Sequence, residues 1–272
     1  MIKLLCINSG EIVGFDWLKF SDKTSQIWRL GDNFDKKSDY IIRWDFEGED
    51  EFLPMMQLAT LVRSQIPIYG KLSLVMPFLP YGRQDKPISN DTTFALHPFL
   101  DILHKTELFN QILSFDIHNP KATDCYGVFN EMFTTNTVIH SICETFSPDF
   151  ICFPDKGASN RGYKTPNDIP VVILDKVRNQ QTGEIIGIGI ASNDFKFDFQ
   201  NKKGLIVDDI CDGGRTFIEA SKLLKSLGCN KIGLYTTHGI YSKGINHLLD
   251  NGIDMVYNIH NTKGVKRATE SI

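Results

Sequence analysis

Long hydrophobic runs are missing from this 272-residue sequence. No stretch approaches the ~18 apolar residues of a membrane helix. The opening Met1-Ile2-Lys3-Leu4-Leu5-Cys6-Ile7-Asn8 is too short an apolar stretch for a signal peptide and reads as a first strand. Charge of one sign is also missing: Lys+Arg 29 against Asp+Glu 33 gives −4, so no global basic field argues for nucleic acid. Cysteine is sparse. Cys6, Cys125, Cys143, Cys152, Cys211 and Cys229 form no C-x-x-C pair, which excludes a zinc framework. Cys6 and Cys152 lie in apolar runs, where a free thiol acts as a small hydrophobe. We therefore expect a reduced, cytoplasmic protein, in the host cytoplasm if the chain is viral. With 42% hydrophobic and 23% charged residues, the composition excludes a disordered or collagenous chain.

What is present is an alternation of short β-rich runs with helical patterns, which predicts mainly parallel α/β sheets. Leu72-Ser73-Leu74-Val75-Met76 reads as a buried strand ending at Pro77. Residues 93–105 carry an apolar stripe at positions 96, 99, 100 and 103, a helical spacing, with Asp91 and Thr92 as expected caps. Ile112-Leu113-Ser114-Phe115 is a strand followed by Asp116-Ile117-His118, and Phe150-Ile151-Cys152-Phe153 runs into Pro154-Asp155-Lys156-Gly157. Val171-Val172-Ile173-Leu174 precedes Asp175-Lys176-Val177-Arg178, for which a plain basic hairpin turning at Gln180-Gln181-Thr182-Gly183 is the simplest account. The strongest unit comes last: strand 204–207, a polar glycine-bearing turn at 208–215, helix 216–227 stopped by Gly228, and strand 231–235. At about 150 residues per domain the length suits two domains. Both halves have strands whose carboxyl ends release charged loops, so the expected division is 1–139 and 140–272. Open α/β sheets bind ligands at that edge.

Asp208-Asp209-Ile210-Cys211-Asp212-Gly213-Gly214-Arg215-Thr216 is the most specific pattern. Backbone N–H groups of a glycine-bearing turn at a helix N-terminus cradle an anion. Paired carboxylates just before it would repel a bare phosphate, but they suit sugar hydroxyls or a Mg ion. The pattern resembles the phosphoribosyl-diphosphate (PRPP) loop of the phosphoribosyltransferase-like superfamily. Other blocks narrow the resemblance. Pro77-Phe78-Leu79-Pro80-Tyr81-Gly82-Arg83-Gln84-Asp85-Lys86, Asp116-Ile117-His118, Pro154-Asp155-Lys156-Gly157-Ala158-Ser159-Asn160-Arg161, Asp175-Lys176-Val177-Arg178 and Tyr235-Thr236-Thr237-His238-Gly239 stand in this order. They resemble, in the same order, blocks of the ribose-phosphate pyrophosphokinases (PRPP synthetases). Phe20-Ser21-Asp22 is a weaker match to that family's amino-terminal segment.

The resemblance implies two phosphoribosyltransferase-like domains, each a mainly parallel sheet flanked by helices. It implies ATP binding by Arg83, Gln84 and Asp85, with Phe20 and Asp22 contributing. It implies Mg held by His118 and Asp155, with His118 also counted in the catalytic set. Lys176 and Arg178 are implied to lie on a loop that closes over the transferring group and neutralises charge moving to the leaving AMP. Asp208, Asp209, Asp212, Gly213, Gly214, Arg215 and Thr216 are implied to hold the ribose phosphate.

Taken singly, each block has a plainer explanation. A loop salt bridge accounts for residues 83–85, and a structural role accounts for His118. The remaining histidines are expected at the surface or in the core without function, and Trp17, Trp28 and Trp44 are expected to serve packing.

Three departures stand out. Arg215 occupies a position that is glycine in the synthetases, the acid that closes the amino-terminal block is replaced by Thr24, and the chain is about one helix shorter than is usual. The expected reaction is ATP- and Mg-dependent diphosphoryl transfer to the anomeric hydroxyl of ribose 5-phosphate, releasing AMP. ADP-ribose, as in a phage branch that rebuilds NAD, is the alternative acceptor, and Arg215 would meet its second phosphate. A phosphoribosyltransferase and a non-catalytic regulatory subunit are the readings from other classes. Expected partners are ATP and the sugar phosphate, in a homo-oligomer with the ATP site near a subunit interface, and no membrane or nucleic acid.

Overall fold

The computed structural model describes residues 1–87, 89–132, 135–166, 168–178, 185–191 and 197–261, with residues 176–178, 185–186 and 260–261 described by backbone alone. The chain divides into two compact units, Met1–Met132 and Phe133–Ile272. No helix among the described residues is long and apolar enough to cross a membrane.

The first unit contains β1 (Ile2–Cys6), β2 (Ile12–Val13), β3 (Phe15–Lys19), β4 (Ser25–Leu30), β5 (Tyr40–Trp44), α1 (Phe52–Gln65), β6 (Leu72–Met76), α2 (Leu96–Lys105), β7 (Gln111–Phe115) and β8 (Phe129–Met132). Its six-stranded sheet has the order β2-β1-β5-β6-β7-β8. The pairs from β5 to β8 are parallel, whereas β1 pairs antiparallel with both β2 and β5. In β1, β5 and β6 buried and half-buried residues alternate, the period-2 signature of a strand with one face deeper in the core. Strands β3 and β4 form a separate hairpin. Gln57 of α1 holds it, accepting from Ile27 N at 2.9 Å and donating to Ser25 O at 3.0 Å. Trp44 is fully buried as expected, with Nε1 donating to Glu51. Trp28, on the hairpin, is instead 60% exposed because the two-stranded ribbon has an uncovered face.

The second unit contains α3 (Thr135–Phe146), β9 (Phe150–Phe153), α4 (Lys156–Ser159), β10 (Val171–Arg178), β11 (Ile185–Ile190), β12 (Lys203–Cys211), α5 (Arg215–Ser226), β13 (Lys231–Gly239), α6 (Ile245–Leu249) and β14 (Met255–Asn261). Residue 140 thus lies inside α3. The sheet order is β11-β10-β9-β12-β13-β14, parallel except at the β10–β11 edge. Strand β12 is buried on both faces: Ile206 joins the cluster with Leu224 and Leu234, while Leu205 and Val207 join the cluster with Ile139 and Phe153. That two-faced burial explains its near-continuous apolar sequence. Cys6 and Cys152 are buried free thiols within these cores.

Four local expectations are corrected. Residues 208–211 are not turn but the end of β12, because β13 pairs with them as far as Cys211↔Gly239. For the same reason residues 236–239 belong to β13. Residues 175–178 continue β10, held by antiparallel pairing with β11. The helix expected from 93 begins at Leu96, with Ala95 at its N-cap and no side-chain cap. Asp91 and Thr92 close a local turn with Ser89 instead, the competition that short polar side chains offer to helix starts. The expected turn at Gln180-Gln181-Thr182-Gly183 lies outside the described residues.

Candidate active site

In the first unit, neighbouring parallel strands β6 and β7 release the two loops that carry the expected nucleotide-binding and metal-binding residues. After β6 the chain turns through Tyr81, a non-glycine residue at φ 62. Its hydroxyl donates to Glu49 Oε1 at 2.7 Å, and its ring packs 5.2 Å from Phe99. Burial and the Glu49 hydrogen bond push the phenol up to about 12. Gln84 N donates to Tyr81 O at 2.7 Å, and Leu96 N donates to Gln84 O, so the loop is tied to the start of α2. Arg83 and Gln84 are exposed, and Asp85 is half-buried. After β7, Asp116 takes φ 41, Ile117 N donates to Glu131 Oε1 at 2.7 Å, and His118 is exposed.

Asn119 Nδ2 donates to Asp85 Oδ2 at 2.6 Å. That bond brings the residue 83–85 loop and the His118 loop together within this unit. Asn119 was not among the sequence candidates; its position directly after Asp116-Ile117-His118 is the only sequence signal it had. Phe20 and Asp22 lie on the hairpin turn after β3, both exposed. Asp22 Oδ1 accepts from Thr24 N and Thr24 Oγ1, which closes the turn and lowers the pKa of Asp22.

In the second unit, β9, β12 and β13 are adjacent and parallel, so their carboxyl ends share one edge. Asp155 follows β9 and caps α4, its Oδ1 accepting from Ala158 N at 3.0 Å. Asp208 and Asp209 lie near the carboxyl end of β12. Burial first, then the Asp209 charge and, least, the Asp155 charge raise the Asp208 pKa well above the usual carboxylate range. Asp209 is buried, and Arg161 lies beside it, with Nη1 3.6 Å from Oδ2. Lys156 Nζ reaches Asp175 Oδ2 at 3.1 Å. Lys176 and Arg178 are placed on β10 by backbone, with a register shift between Val177 and Arg178.

The loop after β12 leads straight into α5, whose N-cap is Gly214 at φ 77 without a side-chain cap. The first-turn N–H groups of a helix have no intrahelical acceptor, so this turn is chemically fit for an oxyanion. Arg215 is largely exposed and its Nε donates to Glu219 Oε1 at 2.7 Å, which holds its pKa up. The structure thus places this guanidinium along its own helix. The loop after β13 supplies a different cation. A Cβ placed on Gly213 would lie 3.8 Å from both Lys243 Cε and Ser242 Oγ. Neither residue was a sequence candidate, because they lie about 30 residues downstream in a loop without a motif of its own.

The Phosphoribosyl transferase domain family model matches residues 144–266. The chain is 26% identical over 247 residues to a ribose-phosphate pyrophosphokinase of Pyrococcus furiosus, covering 90% of this chain and 85% of that protein. It is 25% identical over 250 residues to one of Thermococcus kodakarensis, covering 91% and 85%. The chain is thus similar to ribose-phosphate pyrophosphokinases along most of its length. Ribose-phosphate pyrophosphokinases are transferases, and the likeness spans both units. The fold is also that of the crystal structure of phosphoribosylpyrophosphate synthetase from Mycobacterium smegmatis, with TM-score 0.74 at 18% identity over 97% of this chain and 85% of the other. Around its glycine turn the chain carries Lys243, near Gly213, and Arg215, the first residue of α5.

Proposed function

We propose that this protein transfers the terminal diphosphoryl group of ATP to the anomeric hydroxyl of a 5-phosphorylated ribose, with ribose 5-phosphate as the acceptor and PRPP as the product. The hydroxyl oxygen attacks the β-phosphorus, a new O–P bond forms, the bond from that phosphorus to the α–β bridging oxygen breaks, and AMP leaves. The observation that carries the reading is the edge of the second unit. An uncapped glycine turn at the start of α5 follows a few residues after the half-buried Asp208 and the buried Asp209. The turn suits the 5-phosphate, and Asp208 and Asp209 suit the sugar hydroxyls. In the first unit, Arg83, Gln84 and Asp85 bind ATP in this reading, and the Asn119–Asp85 bond orders their loop. Phe20 and Asp22, exposed on the hairpin, remain available to a nucleotide bound by a second copy of the chain, so the reading includes a homo-oligomer.

A Mg ion fits the donor chemistry. Asp155 adds to the negative potential at Asp208, and carboxylate crowding of this kind is eased by a divalent cation. No group of three or more His, Cys, Asp or Glu among the described residues forms a metal cage. Mg does not need one, since it binds one or two carboxylates and completes its shell with water and phosphate oxygens. In the second unit we assign Asp155 to a Mg ion, and in the first unit His118 is likewise proposed as a Mg ligand; when bound, Mg would neutralise charge on the ATP oxygens. Lys176 and Arg178 act as cations toward the leaving AMP.

With ATP and ribose 5-phosphate, AMP should appear in equal amount with a diphosphorylated pentose phosphate, measured by mass. ADP as the main nucleotide product would sink the assignment. A phosphoribosyltransferase would make PRPP disappear with a base and leave ATP untouched. A regulatory subunit would turn over nothing alone.

One observation favours ADP-ribose as a second acceptor: Lys243 lies beside the turn that a monophosphate needs only for its backbone N–H groups, and Arg215, held along α5 by Glu219, is the next residue after that turn. If ADP-ribose is used, Arg215→Gly and Lys243→Ala should each cost roughly ten- to a hundredfold in its kcat/KM, as expected for losing a charge-assisted contact. Ribose 5-phosphate should then be nearly spared. Equal losses with both sugars would mean that these cations hold the loop and do not select the acceptor.

A further inference from the structure

Arg161 is nine-tenths buried, its side chain 10% exposed, beside an Asp209 side chain that is 4% exposed. A buried guanidinium is expensive unless its donors are used. Here Nε donates to Tyr163 Oη at 3.0 Å, and the guanidinium carbon lies 5.9 Å from the centroid of the same ring. Tyr163 is in turn stacked on Phe153, with centroids 5.9 Å apart and planes 15° from parallel. Phe153 ends β9 and is buried, so the stack anchors Arg161 to the sheet itself. The backbone adds a further tie, Arg161 N donating to Ala158 O at 3.3 Å. The residue that this anchored guanidinium meets, Asp209, donates its own N–H to Asp208 Oδ1 at 2.9 Å. A rigid chain therefore runs from Phe153 through Tyr163 and Arg161 to Asp209 and on to Asp208.

We propose that Arg161 is a positioning residue of the acceptor site: its anchored guanidinium fixes Asp209, and through Asp209 the neighbouring Asp208, in the geometry that receives the sugar hydroxyls. The inference rests on the functional reading above, which gives those two carboxylates to the sugar. Three carboxylates at one sheet edge repel one another and would otherwise splay into alternative rotamers. A fixed cation behind one of them selects a single arrangement before the sugar arrives, and a preorganised site spends less binding energy on ordering. Arg161 itself need not touch the sugar. Arginine suits this place better than lysine because its planar fork can bond in one direction while its face lies on a ring.

The test is steady-state kinetics of the full chain, varying ribose 5-phosphate and ATP separately, with melting followed in parallel. Arg161→Gln should raise the KM for ribose 5-phosphate about tenfold or more, while the KM for ATP stays within about threefold, the size expected when a buried charged contact is lost. Arg161→Lys keeps the charge without the fork and should recover part of that loss. Removal of a buried cation can also unfold the unit, so Tyr163→Phe serves as a second variant. It keeps the stack and removes the hydroxyl that accepts from Nε, and it should raise the same KM by about three- to tenfold, in line with one hydrogen bond. A fall in melting temperature with an unchanged ribose 5-phosphate KM in the folded variants overturns the positioning role. Failure of the functional reading looks different: the wild-type protein itself would release no AMP from ATP and ribose 5-phosphate.

Discussion

Lys176→Ala and Arg178→Ala are each expected to lower kcat by about 10²-fold or more, with KM for both substrates little changed. Diphosphoryl transfer builds negative charge on the oxygen that leaves with AMP, and few protein groups can meet that charge without also binding the ground state. A positioned donor that acts only there is worth about 10²–10³ in rate when removed. Both residues belong to β10 by backbone, on the antiparallel pair with β11, where Lys176 stands opposite Ile188 and Arg178 opposite Ile185. The register shift between Val177 and Arg178 locally disrupts the ladder, a device often found where a strand re-aims a side chain. Rapid-mix measurements of AMP release at saturating substrates read kcat directly. If neither substitution changes it, the pair is an ordinary basic hairpin.

Gly214→Ala should damage both folding and acceptor binding, and it should do so far more than Gly213→Ala. Gly214 holds φ 77, in the left-handed region, and a Cβ there would overlap Leu248 Cδ2. Leu248 is 2% exposed and part of the core beneath α5 and α6, so it has little space to withdraw into. The left-handed conformation costs an alanine about 1 kcal/mol, and overpacking against a buried leucine adds about 1–3 kcal/mol. Gly213 has neither problem, because its nearest neighbours stand at ordinary contact distance. Urea melts of the two variants should therefore separate by at least about 2 kcal/mol. The ribose 5-phosphate KM of Gly214→Ala should also rise, since the turn that presents the α5 N–H groups would be displaced. Equal stability of the two variants would contradict the strain argument.

Much of the architecture was legible before any coordinates. The βαβ segment from Gly204 to Tyr235 declares itself through a continuous apolar strand, an amphipathic helix and a glycine stop, all local signals. Gly228, at φ 105, terminates α5 as its position predicted. The ordered blocks around residues 77–86, 116–118, 154–161, 175–178 and 235–239 were enough to point to the family. Element ends were less legible. Nothing in Asp208-Asp209-Ile210-Cys211 or Thr236-Thr237-His238-Gly239 taken alone asks for a strand; each extends because the other offers a ladder partner. Local polarity argued for a turn, and the pairing overrode it.

The sequence by itself determined the class of fold and singled out the short segments proposed to carry chemistry, because hydrophobic period and turn residues act over a few positions. The tertiary structure alone decided which of those segments are joined to what. Asp85 is bonded by Asn119, Asp209 is paired by Arg161, and Gly213 is flanked by Lys243. Each of these partners lies about 30 to 50 residues away along the chain. No local pattern encodes such a meeting. It follows from the order in which parallel strands assemble, which sets the loops of adjacent strands side by side at one sheet edge. Charged side chains brought to that edge then pair because burial makes an unpaired charge costly.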